Sequence, residues 1–221
     1  MDLDFYCERI AAGFWGEPFN ALSNVSFLVA GLWGFSRAKA QDQGFSRFLS
    51  GLCIAVGLGS FLFHTFASKG THLLDLLPIF VFTFVFVNFT LRSILGIGPF
   101  SSRGLVALLV IVMAGLEFGT PKSILNGSLL YAPILALLAA VSIILRQRRS
   151  VYFPLFIAMT GIFFVSLVAR TLDQDVCDAF PWGTHFVWHI LNGACLALMI
   201  QVSLLREPTA PAGPSGRTQR D

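Results

Sequence analysis

Charge is what this sequence has least of. Only 12% of its 221 residues are Asp, Glu, Lys or Arg, about half the share carried by a soluble domain. So little charge excludes an ordinary water-soluble globule. The N-terminal stretch MDLDFYCERIAAGFWGEP has no cationic segment leading into an apolar run, so no cleavable signal peptide is expected. Net charge is only +3 and is spread over short connections, so nothing recommends a nucleic-acid partner. No charge lies near the middle of an apolar run and no repeat relates the two halves, which argues against a transporter.

What the chain does have is hydrophobic length. Apolar residues make up 55% of it and the mean hydropathy is +0.74. A bilayer crossing takes about 20 apolar residues, which leaves room for about seven spans and little else. The apolar runs fall at 18–36, 46–67, 71–94, 103–119, 127–147, 151–171 and 183–205. The expected fold is therefore an all-α membrane protein, a seven-transmembrane-helix bundle, with one domain over 1–206. The Pro- and Gly-rich residues 207–221 are expected to be a disordered tail. The fourth run is the shortest and ends near Glu117, so a six-span count stays open.

Connections holding Arg37, Lys39 and Arg47, then Arg92 and Arg103, then Arg146, Arg148 and Arg149, alternate with acidic or neutral ones. The positive-inside rule puts these basic connections in the cytoplasm. The N-terminus is then outside, and the C-terminal tail with Arg206, Arg217 and Arg220 is cytoplasmic.

With that orientation, the ionisable residues of the spans gather at the outer end. His64 closes the second run, Asp75 opens the third, and His185 and His189 open the seventh. Ionisable side chains in hydrocarbon are costly and mark functional sites by default. His185 and His189 are four apart, hence on one helical face and able to grip one ion. His64 supplies a third ligand, and three histidines with one open position form a catalytic zinc arrangement. Water there would ionise near neutral pH. Asp75 is placed to accept its proton and return it to a leaving amine. Ser60, one turn before His64, is placed to donate to a developing oxyanion or hold the water. Pro78 removes a backbone donor from the third run and can kink it beside the cavity. Any one of these histidines alone reads equally well as a structural hydrogen-bonder. His72, in the segment KGTH, is expected at the surface.

Taken together, GLGSFLFHTFASKGTHLLDLLPI, RTLDQDVCDAFPWGTHFVWHILNG and YCERIAAGFWGEPFNALSN resemble the alkaline ceramidase family of the CREST superfamily, seven-helix membrane hydrolases. The resemblance implies zinc on His64, His185 and His189, with Ser60 and Asp75 at the catalytic positions. It implies hydrolysis of a ceramide amide to sphingoid base and fatty acid, with a membrane lipid as substrate. It also implies a calcium site at the N-terminus, formed here by Asp4, Glu8 and Glu17. Two positions depart from the family pattern: Ile10 stands where eukaryotic members carry Asn, and the acidic residue before the aromatic–Cys pair is displaced to Asp4.

Cys7 and Cys177 both fall on the expected outer side, where an oxidising compartment permits a disulfide. Cys53 and Cys195 lie within spans and are expected to pack as small apolar residues. Arg170 and Asp173 are expected to form a structural ion pair, and Asn20, Asn24 and Asn192 to hydrogen-bond between helices. The short loops suggest a bacterial inner membrane with the site towards the periplasm, and leave open an internal eukaryotic membrane with a luminal site. The residues themselves specify a metal-assisted hydrolase, which leaves open other N-acyl or ester lipids. They also leave open a lipid-binding receptor-like protein of the same superfamily, in which zinc is only structural.

Overall fold

A computed structural model describes residues 5–11 and 13–205. Asp4 and the expected tail at 207–221 lie outside the described residues. The fold is all-helical. A short pair, α1 (Pro18–Ser23) and α2 (Val25–Ala40), is followed by α3 (Gly44–Phe66), α4 (Lys69–Phe89), α5 (Pro99–Gly119), α6 (Ala132–Gln147), α7 (Phe153–Leu172) and α8 (His185–Leu204). Pro18, Pro99, Pro133 and Pro154 sit in first turns, where the missing N–H has no intrahelical partner to lose. Ser68 and Thr71 form a reciprocal capping box that starts α4 only two residues after α3 ends. So short a link makes α3 and α4 antiparallel neighbours.

Among the described residues, six helical segments are long and apolar enough to cross a membrane: Gly44–Phe66, Lys69–Ile94, Pro99–Gly119, Ile124–Gln147, Phe153–Leu172 and His185–Leu204. The run expected to be weakest, the fourth, is one of them, because Pro99 opens the helix four residues before the apolar run begins. The first run differs from expectation. It is divided at Asn24, whose side-chain amide donates to the carbonyls of Asn20 and Ala21, and neither α1 nor α2 reaches spanning length alone. The segment Ile124–Gln147 also starts irregularly, with Leu125, Asn126 and Gly127 in left-handed conformation before the regular helix.

The distribution of polarity is inverted relative to a soluble protein. Val29, Leu32, Ile111, Phe118, Ile143 and Phe164 face outward, an apolar exterior suited to lipid. Ser50, Ser142, Ser166 and Asn192 lie inside among Leu49, Phe82, Leu145, Phe156, Met159 and Ile200. Close helix approach rests on small residues: a Cβ on Gly34 of α2 would run into Ile200 of α8 and Ser50 of α3.

Helix directions put the basic connections holding Arg37, Lys39, Arg47, Arg92, Arg103, Arg146, Arg148 and Arg149 at the end of the bundle opposite the histidines. At one end Gln43 donates to the Leu204 carbonyl, Tyr152 to that of Leu205 and Arg148 to that of Leu95. At the other, the C-terminus of α3, the N-termini of α4 and α8, and the segment before α1 converge.

Candidate metal centre

His64 comes from the last turn of α3, and His185 and His189 come from the first two turns of α8. One nitrogen from each lies within 4.8 Å of the others, and all three side chains are buried. Ring centroids are 5.3 Å apart for His64 and His185, 4.7 Å for His64 and His189, and 4.6 Å for His185 and His189. Such packing is awkward for three imidazoles alone, since each carries a lone pair that a neighbour's lone pair repels.

The hydrogen bonds define which nitrogens are free. His64 Nδ1 bonds the Glu17 carboxylate and His189 Nδ1 lies 3.1 Å from the Asn20 carbonyl and 2.7 Å from Ser23 Oγ. A carboxylate and a carbonyl only accept, so both Nδ1 atoms carry the proton and both Nε2 atoms present lone pairs. His64 Nε2 is buried without a hydrogen-bond partner, and so is His185 Nδ1. Three buried imidazoles that bring ring nitrogens within 4.8 Å of one another, two of them with a buried unpartnered nitrogen, fit a metal ion. The Glu17–His64 contact is the carboxylate–histidine support that orients metal ligands.

Asp75, in the second turn of α4, is buried beside this cluster, and its Oδ1 has no hydrogen-bond partner. Ser60 faces it from α3. Their juxtaposition depends on Gly59, where an added Cβ would collide with the Leu74 carbonyl. From the other side, the Tyr6 ring stacks on His185 with centroids 3.7 Å apart. Burial pushes the Tyr6 phenol well above its ordinary range, which keeps it neutral. The reading of the sequence missed Tyr6, Ser23 and the supporting role of Glu17, because contacts across 47 residues or more have no spacing signature.

The N-terminal acidic residues are occupied otherwise than the resemblance implied. Glu8 accepts the backbone N–H groups of Phe19 and Asn20 at 2.6 and 2.8 Å, capping α1. Glu17 is engaged by Arg9, by His64 and by the Asn20 side chain. Among the described residues, the oxygens of Glu8 and Glu17 are therefore engaged by N–H donors and do not form an open cage for calcium; Asp4 lies outside the described residues.

Cys7 and Cys177 are joined in a disulfide, with Cα atoms 5.4 Å apart, while Cys53 and Cys195 are free and buried. Asp173 is not paired with Arg170. It accepts from the backbone N–H of Cys7, Thr184 and His185 at 3.0, 2.8 and 2.9 Å, which ties the N-terminal segment to the start of α8 and caps that helix. Arg170 instead bonds the Asn126 carbonyl and Ser128 and lies over the Tyr131 and Trp188 rings. Asn192 joins α8 to Ser166 of α7, as expected of interhelical glue, whereas Asn24 bonds within its own turn and Asn20 reaches back to Glu17. His72 belongs to α4 rather than to a connection, because the capping box starts the helix early; it is half-buried beside Phe5 and Phe63.

Below the cluster an apolar pocket of about 50 Å³ is lined by Phe27, Val56, Phe82, Met113, Tyr131 and Trp188, among others. It has space for a few waters, not for an acyl chain. The sequence model of the family described as Ceramidase matches residues 4–210. No curated protein matches the chain.

Proposed function

Since the chain belongs to the ceramidase family, a hydrolase acting on amide bonds of lipids, we propose that it is a zinc-dependent intramembrane amidohydrolase of ceramide or a ceramide-like lipid. One observation carries the reading: buried His64, His185 and His189 each bring a ring nitrogen within 4.8 Å of the other two, and His64 Nε2, His185 Nδ1 and Asp75 Oδ1 are buried without hydrogen-bond partners. Zinc in that three-histidine cage would supply Lewis acidity towards the amide carbonyl and water activation at neutral pH.

The side chains divide the remaining work. Glu17 and the Asn20 carbonyl hold two of the histidines in one tautomer and orientation. Asp75, with a free oxygen, accepts the proton of the attacking water and returns it to the leaving sphingoid amine. The Ser60 hydroxyl, facing Asp75, donates to the oxygen on which charge develops. Tyr6 covers His185 and limits bulk water. The amide is polar and the two tails are not, so a site at the end of a bundle with an apolar pocket beneath suits such a substrate. The pocket is small as it stands, so helices must part to admit a chain. α5 is the least buried of the six spanning helices and is the natural one to move.

Orientation follows from charge. With the divided α1–α2 pair as a seventh crossing, the basic end lies in the cytoplasm together with the tail at 207–221, and the N-terminus and site lie outside. The disulfide at the histidine end favours the same assignment, with the site towards the periplasm of a bacterial inner membrane. The test is release of fatty acid from a panel of N-acyl sphingoid and ester lipids by detergent-purified protein, wild type beside Asp75→Asn, with and without a zinc chelator. Amide cleavage lost in both controls supports the reading. Zinc retained with no cleavage of any lipid would replace it with a lipid-binding protein.

A further inference from the structure

The N-terminal segment already holds a buried cation of its own. The Arg9 side chain is only 4% exposed and pairs with Glu17, itself 1% exposed. Its Nη1 donates to the Ala11 carbonyl at 3.2 Å and its Nη2 to the His64 carbonyl at 3.1 Å. One guanidinium thus joins three pieces of chain: the N-terminal loop, the residue that precedes α1, and the end of α3 that carries a histidine of the cluster. Glu17 then passes the connection on through its second oxygen to His64 Nδ1.

Among the described residues a divalent ion has no comparable claim on this place. Both oxygens of Glu8 accept backbone N–H groups and both oxygens of Glu17 are engaged by nitrogen donors. The side chain two positions beyond Glu8, Ile10, is apolar and exposed. Among the described side chains around Glu17, the Asn20 and Asn24 oxygens are buried without partners, but two neutral amide oxygens with no free carboxylate beside them fall well short of the six to eight oxygens that calcium takes. A second cation beside the guanidinium would also be repelled.

We propose that Arg9 is a built-in cation that replaces calcium in this chain: it latches the N-terminal segment to the core and, through Glu17, positions His64, so that the metal centre is formed without calcium. Arg9 is in this sense a positioning residue. The proposal rests on the reading of the three histidines as a metal site, but the latch has its own consequence for thermal stability.

The experiment uses full-length purified protein. Thermal unfolding and zinc affinity, the latter by competition with a chromogenic chelator, are followed with calcium and with a calcium-selective chelator. Wild type is expected to show the same Tm and a zinc Kd unchanged within about two-fold in both. Arg9→Ala is expected to bind zinc roughly 10–100-fold more weakly, the range for loss of an outer-shell partner. Millimolar guanidinium should restore part of that affinity, and sodium at equal ionic strength should not. A wild-type Tm or zinc affinity that rises with calcium overturns the proposal, and so does an Arg9→Ala variant that keeps wild-type zinc affinity. If Arg9→Ala does not fold, Arg9→Lys keeps the charge without the planar fork and is expected to show an intermediate loss; unchanged affinity there counts against the latch. Wild type that binds no zinc would instead sink the metal reading, and the calcium dependence of Tm would still decide the latch.

Discussion

Gly59 of α3 lies directly against the backbone carbonyl of Leu74 in α4. That carbonyl is the one left without its helical N–H partner because residue 78, one turn on, is proline. The two irregularities are complementary: a residue without a side chain approaches a carbonyl without a helical partner, in the geometry of a Cα–H···O contact. The residues that follow them, Ser60 and Asp75, are thereby brought face to face. Gly59→Ala is expected to force the helices apart, at a cost of about 1–3 kcal/mol typical of overpacking. Tm should fall, and lipid hydrolysis should fall further than zinc content, because the displaced pair is Ser60 and Asp75. Normal activity in Gly59→Ala would show that this close approach does not position them.

The three histidines should behave as a unit towards metal. His64→Ala, His185→Ala and His189→Ala each remove one of only three ligands, so zinc per protein, measured by plasma mass spectrometry after dialysis, should drop close to zero in each. Glu17→Gln keeps all three and removes a charge from behind His64, so zinc should remain but bind roughly 10–100-fold more weakly. A histidine variant with full zinc content would remove that residue from the site.

How much of this was legible in the sequence follows the range of each interaction. The apolar runs mark six spanning helices because length and hydropathy are local properties, and His185 and His189 declare themselves by one helical turn. Asn24 shows why the first run reads less well: its side chain competes for the carbonyls of its own turn, and composition does not reveal that division. Asp173 misled for a similar reason. Its sequence neighbour Arg170 suggested an ion pair, while its actual partners are backbone N–H groups of Cys7, Thr184 and His185, which no side-chain pattern encodes. Arg9, Glu17 and His64 are far apart in sequence, so their contact is a product of the fold alone.

Asp75 and the zinc ligands should separate experimentally. Asp75→Asn keeps the shape of the side chain and touches none of the three histidine nitrogens, so zinc content should be unchanged. Loss of a general base should lower kcat by about 10²–10⁴-fold. Steady-state hydrolysis with zinc measured on the same sample checks both. Activity retained in Asp75→Asn would remove it from the chemistry and favour a role in packing against Ser60.

The disulfide makes a prediction of its own, because Cys7 and Cys177 are 170 residues apart and the segment it anchors carries Tyr6, Glu8 and Arg9. Closing so long a loop stabilises a fold by about 2–5 kcal/mol, chiefly by restricting the unfolded chain. Thiol titration of denatured, unreduced protein should find two free thiols of the four cysteines. Reductant, or Cys7→Ser with Cys177→Ser, should lower Tm by several degrees and speed loss of zinc to a chelator, since the loosened segment carries the Arg9–Glu17 support of His64. Asp173 would still hold the Cys7 backbone, so the site should be weakened rather than abolished. Four free thiols before reduction would show that the bridge does not form in the purified protein, and the N-terminal segment would then be held by Asp173 and Arg9 alone.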